Sequence, residues 1–152
     1  MSDNHPVYTK MIVAVDGSEY SLRAAVTATR LAKHTRASLI VVTVMTIPDY
    51  IFVGSGMTPE VMDKIYSDSK KNAQSIVDNV VKMAKEAGLE ASGEILNDSR
   101  SVVQTIVDFA EKNNADLIVV GTRGMGNLKR ALLGSVSSGV ATHAHCSVLI
   151  VR

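Results

Sequence analysis

The sequence predicts an α/β fold: a single open, doubly wound sheet of five parallel strands with helices on both faces. Three observations lead there. Five apolar, β-branched runs recur along the 152 residues, and four of them are nearly continuous rather than alternating. Strands covered by helices on both faces have that composition. Segments with apolar residues at helical spacing lie between the runs. The resulting order, strand then helix four times and a closing strand, implies one parallel sheet joined by right-handed crossovers.

The first strand is expected over Met11 to Val15. Ser18 then opens a helix, with Glu19 and Ser21 in its first turn, where unpaired amides and a positive dipole end favour such residues. The apolar face of that helix is expected to be Leu22, Ala25, Val26, Thr29 and Ala32. Leu39 to Met45 is the second strand. Thr46 to Met57 follows as the one long irregular connection; it is unusually apolar and reads either as a loop packed on the surface or as a flap near a ligand or partner. Thr58-Pro59-Glu60 is a helix start, with proline at the first helical position. The stripe Val61, Met62, Ile65, Ala73, Ile76, Val77, Val80 and Ala84 then runs for roughly seven turns. Gly88 stands where a left-handed residue commonly ends a helix. Ala91 to Leu96 is more mixed and is expected nearer a sheet edge. Val102, Val103, Ile106 and Ala110 form a third helical stripe. Leu117 to Val120 is the fourth strand, Ser135 to about His143 a short helix, and Val148 to Val151 the last strand.

Lys and Arg number 16 and Asp and Glu 15, a formal net charge of +1. A dedicated nucleic-acid or anionic-membrane binder carries a marked basic excess, so neither partner is expected. With 46% hydrophobic and 20% charged residues, the chain can bury a core and is not a disordered segment. No apolar run approaches the roughly 18 residues of a membrane span. Residues 1–9 are polar, include Asp3, lack the regions of a signal peptide, and read as an extension of a single domain covering 1–152. Cys146 is the one cysteine, which rules out an intramolecular disulfide and fits a reducing compartment. A cytoplasmic location is therefore expected.

In open α/β sheets, ligands bind beyond the carboxyl ends of the strands, where neighbouring connections leave on opposite faces. With the expected strand order 3-2-1-4-5, strands one and four mark that point. The first ends in Val15-Asp16-Gly17-Ser18 and the fourth in Val120-Gly121-Thr122-Arg123-Gly124-Met125-Gly126, so Asp16 and Gly121 are expected on one crevice. Three glycines in six residues let backbone amides approach a ligand. Further on, Gly134-Ser135-Val136-Ser137-Ser138 opens the last helix with unpaired N–H groups, three hydroxyls and a positive dipole end, a ready anion site. Together the two stretches read as a cradle for a phosphate chain; a purely structural turn is the alternative. The loop is not a Walker A motif, because Asn127 follows Gly126 where Lys-Ser/Thr is required. It is not a dinucleotide fingerprint either, since Lys129 stands in place of the third glycine and the loop follows the fourth strand.

Gly121-x2-Gly124-x9-Gly134-Ser135 resembles the G-x2-G-x9-G-(S/T) pattern of ATP-binding members of the universal stress protein family. Ile12-Val13-Ala14-Val15-Asp16-Gly17-Ser18, Asp116-Leu117-Ile118-Val119-Val120-Gly121 and Val148-Leu149-Ile150-Val151 are similar to that family as well, so the resemblance covers roughly Thr9 to Arg152. It implies a Rossmann-like sheet of the adenine nucleotide alpha hydrolase type that binds ATP, or AMP or ADP. By this resemblance Asp16 would lie near the ribose and any magnesium or manganese carried by the nucleotide. Val44 would set its backbone against the adenine edge, Ala14 and Val15 would line the base pocket, and Val120 would pack close to the adenosine. Gly121, Arg123 and Gly124 would hold ribose and phosphates, and Gly134, Ser135 and Val136 the phosphate chain at the helix start. The resemblance also implies a homodimer through the last strand, Ser147 to Val151; an apolar edge strand needs cover on physical grounds too. Thr43 departs from the pattern, since many relatives have histidine there, and is expected to alter packing more than binding.

Several of these residues have a second reading. Asp16 also suits a cap on the first turn, and Arg123 a solvated loop cation beside Lys129 and Arg130. His143, His145 and Cys146 cluster, but a metal site needs three or four converging ligands, so a structural role is expected. Cys146 has no evident charge partner that would make it a nucleophile. Asp63, Asp68 and Asp78 fall on the polar side of the long helix. The leading expectation is a nucleotide-binding protein in which the ligand acts as effector or signal in a stress response, with no efficient catalysis. The alternatives are a slow ATPase or nucleotide-activating enzyme, and a dimeric interaction module that needs no nucleotide.

Overall fold

The computed structural model describes residues 7–46, 56–97, 101–123 and 133–152. Among these the elements are β1 (Lys10–Ala14), α1 (Glu19–Thr35), β2 (Ser38–Met45), α2 (Pro59–Glu86), β3 (Ala91–Asn97), α3 (Val102–Lys112), β4 (Leu117–Gly121), α4 (Ser135–His143) and β5 (Ser147–Val151). The five strands pair in parallel in the order β3-β2-β1-β4-β5, as expected. The mixed strand β3 is at one edge. β1 ends one residue earlier than the sequence pattern implied, although Val15 N still donates to Val42 O at 2.8 Å.

Side chains alternate across this sheet, and both faces are covered. Val13, Val15, Val41 and Val119 pack with α1 and α2, while Ile12, Val42, Ile118 and Val120 pack with α3 and α4. Burial on both faces removes the usual polar half of a strand and gives the continuous apolar runs. The sheet is registered at its amino end by Asp116, whose carboxylate accepts from Thr9 N at 2.7 Å, Thr9 Oγ1 at 2.8 Å and Lys10 N at 3.2 Å.

The face of α1 differs from expectation. Leu22 and Val26 are exposed, and the buried set is Ser21, Ala24, Ala25, Ala28, Thr29 and Ala32. The reason is proximity: α1 lies so near β4 that a Cβ added at Gly121 would sit 2.8 Å from the backbone carbonyl of Tyr20. At that separation alanine and serine fit and leucine does not, so the small side chains take the inward face. Only the second half of α2 packs as expected, through Ala73, Val77, Val80 and Ala84; Val61 is exposed. Gly93 admits α2 to the outer strand, since a Cβ there would lie 2.2 Å from Val77 Cγ1. Gly88 follows α2 with φ +87, the left-handed geometry expected of it. The connection at 47–55 lies outside the described residues.

Candidate functional site

The carboxyl ends of β1, β2 and β4 open onto a cavity of about 510 Å³. Its floor is built by three short polar systems. In the β1–α1 turn, Asp16 Oδ1 accepts from Ser18 N at 2.9 Å, and Ser18 Oγ in turn accepts from Ser21 N at 3.2 Å, which caps α1. Ser21 Oγ donates to Ser18 O at 2.9 Å and accepts from Asp16 N at 3.3 Å. Gly17, between them, has φ +83, which a side chain would strain. Asp16 thus does serve the turn, as its second reading held, and it also lines the cavity.

The second system joins β4 to α4. Thr122 N donates to Val151 O at 2.8 Å, while Thr122 O accepts from Gly134 N and from Ser137 Oγ, the latter at 3.0 Å. A Cβ at Gly134 would sit 3.1 Å from Thr122 O and 3.3 Å from Arg123 Cα, so glycine lets the start of α4 press against the end of β4. The end of β4 and the start of α4 therefore converge on one crevice.

The third is the amino end of α4 itself. The helices α1, α2 and α3 are each capped by a hydroxyl, from Ser18, Thr58 and Ser101. α4 starts at Gly134 with no side-chain cap. Its first described intrahelical bond runs from Ser138 N to Gly134 O at 3.0 Å, which leaves the N–H groups of Ser135, Val136 and Ser137 ahead of the ladder. The helix dipole adds partial positive charge at the same point.

Around these systems the walls are mixed. Ala14, Val15, Val44 and Val120 supply apolar surface from the strands, and Gly121, Arg123, Gly134, Ser135 and Val136 the β4 and α4 side. These, with Asp16, are ten of the sequence-derived candidates on one cavity. Gly124, the remaining candidate, lies outside the described residues. Among the described lining residues the charged groups are Asp16 and Arg123. Arg123 is half-buried, with Cζ 5.8 Å from the centroid of the Tyr20 ring, a cation–π contact that aims its guanidinium. Arg23 stacks on the same ring at 5.6 Å and pairs with Glu19.

Sequence reasoning missed part of the wall. Thr43 and Met45 of β2, Ser69, Asn72 and Ile76 of α2, and Val102 and Ile106 of α3 also line the cavity. One signal was available: the apolar stripe of α2 lapses between Ile65 and Ala73, and Ser69 and Asn72 occupy that gap. Gly121, which lines the cavity, has a further reason to be glycine, since its missing Cβ makes room for α1. Among the described residues no three His, Cys, Asp or Glu side chains gather to hold a metal. His143 Nδ1 lies 2.9 Å from Gly139 O, one turn back on α4. Burial, and secondly the Asp116 carboxylate, push the Cys146 thiol up from its ordinary pKa. No described helix is long and apolar enough to cross a membrane.

An open parallel sheet with a crevice at its topological switch point, walled by an uncapped helix start, defines a Rossmann-like α/β fold. The profile of the universal stress protein family matches residues 8–152, and the chain belongs to that family. A universal stress protein of Methanocaldococcus jannaschii is 36% identical over 96% of this chain and 83% of its own length. The UspA universal stress protein of Lactobacillus plantarum superimposes with a TM-score of 0.81 at 24% identity, covering 95% of this chain and 98% of that one. A universal stress protein solved in complex with cAMP is 30% identical, with a TM-score of 0.71 over 96% of this chain and 98% of that one.

Proposed function

We propose that this protein binds an adenine nucleotide, ATP in the first instance, across the ends of β1, β2 and β4, and that the bound nucleotide acts as an effector in a stress response. The observation that carries the reading is the uncapped start of α4 on the wall of a cavity that also holds Arg123 and an apolar slot. Three amides of one helix turn match phosphate oxygens, and the dipole favours their charge. Ala14, Val44, Val120 and Ile106 give the adenosine a partly apolar surface. The volume suits a small ligand, since such pockets run from about 300 to 1,000 Å³. The complex of the 30% identical relative with cAMP supports an adenine nucleotide as the ligand class.

Magnesium or manganese fits this site through the nucleotide. Asp16 offers one carboxylate, and hard divalent ions are held by one or two carboxylates together with substrate phosphates. A bound ion would neutralise phosphate charge; Asp16 would orient it while keeping the β1–α1 turn closed. Efficient hydrolysis is not part of the proposal. Phosphoryl transfer needs a positioned nucleophile beside charge stabilisation, and among the described lining residues the one carboxylate, Asp16, already accepts from Ser18 N. A cytoplasmic homodimer joined along β5 completes the reading: Val148, Leu149, Ile150 and Val151 remain partly exposed on an edge strand, and such an edge calls for cover.

Ser135→Asp separates binding from stability. Ser135 is exposed at the first position of α4. A carboxylate there favours the helix dipole by about 0.3–1 kcal/mol but opposes phosphate. Calorimetry with ATP is expected to show at least a roughly tenfold loss of affinity, about 1.4 kcal/mol, with an unchanged or higher melting temperature. Unaltered ATP affinity in this variant would refute the phosphate position.

A further inference from the structure

We propose that Thr43, Ser69 and Asn72 form a polar subsite that reads the hydrogen-bonding edge of the bound nucleobase, an inference that rests on the nucleotide reading above. Thr43 is the single polar residue of β2 between Leu39 and Met45, and it is 5% exposed. No hydrogen bond to Thr43 Oγ1 is formed among the described residues, yet no shut-off side-chain oxygen or nitrogen lacks a partner. The hydroxyl therefore keeps its remaining access, and that access is to the cavity it lines. Valine fills both neighbouring positions, so the hydroxyl interrupts an otherwise apolar run at the cavity wall.

Ser69 and Asn72 reach the same cavity from α2. At i and i+3 they share one face of the helix, and they sit where its apolar stripe lapses. Neither side chain makes a hydrogen bond among the described residues, although both backbones lie within α2. The three groups come from two elements and face one space.

Their place in the sheet says which part of a ligand they meet. α4 is tied to the end of β4 through Thr122. α2 lies on the other side of the switch point, against β2 and β3, as the contact of Val77 with the Gly93 position shows. A nucleotide with its phosphates at α4 extends its base toward β2. Two hydroxyls and a primary amide carry donors and acceptors and no charge. That set suits a neutral heteroaromatic edge and does not suit a second anion. An amide side chain can pair simultaneously with the amino group and a ring nitrogen of adenine.

Calorimetry with ATP, ITP and inorganic tripolyphosphate on the full chain tests this. ITP replaces the 6-amino donor with a carbonyl acceptor and leaves the phosphates alone. The wild type is expected to prefer ATP to ITP. Thr43→Val and Asn72→Ala are each expected to weaken ATP about fivefold and to shrink the ATP-to-ITP ratio, with tripolyphosphate affinity unchanged. Ser69→Ala and Asn72→Ala lie on an accessible helix face and raise helix propensity, so they report even if Thr43→Val folds poorly. Variants that keep the wild-type ratio overturn the subsite while the nucleotide reading stands. A wild type that binds no ATP overturns both.

Discussion

Replacing Gly121 by alanine should damage the molecule through contact with backbone, not through dihedral strain. A Cβ at this position would stand 2.8 Å from both the carbonyl carbon and oxygen of Tyr20 and 3.0 Å from Ser21 N. Real Cβ atoms do not approach that closely, and none of the three atoms is the end of a flexible side chain. The first turn of α1 must therefore move by several tenths of an ångström, or β4 must. Overpacking of this kind costs about 1–3 kcal/mol. Unfolding in urea at a fixed protein concentration measures it. With a slope of about 1–3 kcal/mol per molar, the midpoint should fall by roughly 1 M. Serine should behave as alanine does, because the offending atom is the Cβ. The displaced turn is hydrogen-bonded through Ser21 to Asp16 and Ser18, so ATP affinity should fall in the same variants. A Gly121→Ala protein within about 0.5 kcal/mol of wild type, the range of ordinary surface changes, would refute the close approach of α1 to β4.

Two further expectations concern the other end of the sheet. Asp116→Asn keeps the size of the side chain but weakens the acceptor for Thr9 N, Thr9 Oγ1 and Lys10 N; losing charge-assisted bonds of this kind should cost about 1–2 kcal/mol and speed amide exchange at Thr9 and Lys10, whereas unchanged exchange there would show that the carboxylate does not register β1. The Cys146 thiol is held above its ordinary pKa by burial first and the Asp116 charge second. It should therefore react with iodoacetamide more slowly than a free thiol at pH 8 and faster in Asp116→Asn. Because the folded state favours the protonated form, its contribution to stability is complete below the ordinary thiol pKa and is lost as pH rises through the elevated one. Alkylation at the free-thiol rate would contradict this.

The strands could be read from sequence because burial on two faces leaves a simple signature, an unbroken apolar run, that depends on no neighbour in particular. No local residue pattern makes β1 and β4 neighbours; once the order 3-2-1-4-5 is granted, the residues at their ends fall on one crevice. Helix faces were harder. For α1 a hydrophobicity pattern favours Leu22 and Val26, but the spacing between helix and sheet favours Ala24 and Ala28, and that spacing is set by Gly121, some ninety residues away. Contacts of that range leave no trace in a local window. For α2 the lapse in the stripe at Ser69 and Asn72 was visible, yet it acquires meaning only once the helix is laid beside the crevice. Asp16 illustrates a third situation: its turn-closing reading holds, because one carboxylate oxygen accepts from Ser18 N, and the same residue also lines the cavity.

Thr122 has a position worth following outward. Its amide hangs from Val151 on the outermost strand, and its carbonyl holds the first residues of α4. A single peptide neighbourhood thus joins the rim of the sheet to the floor of the crevice. The pairing of β5 with β4 runs from Leu117 to Gly121, and the Thr122 amide carries it one residue further. The residue that closes this ladder is thus also the one that seats the helix start beside the cavity.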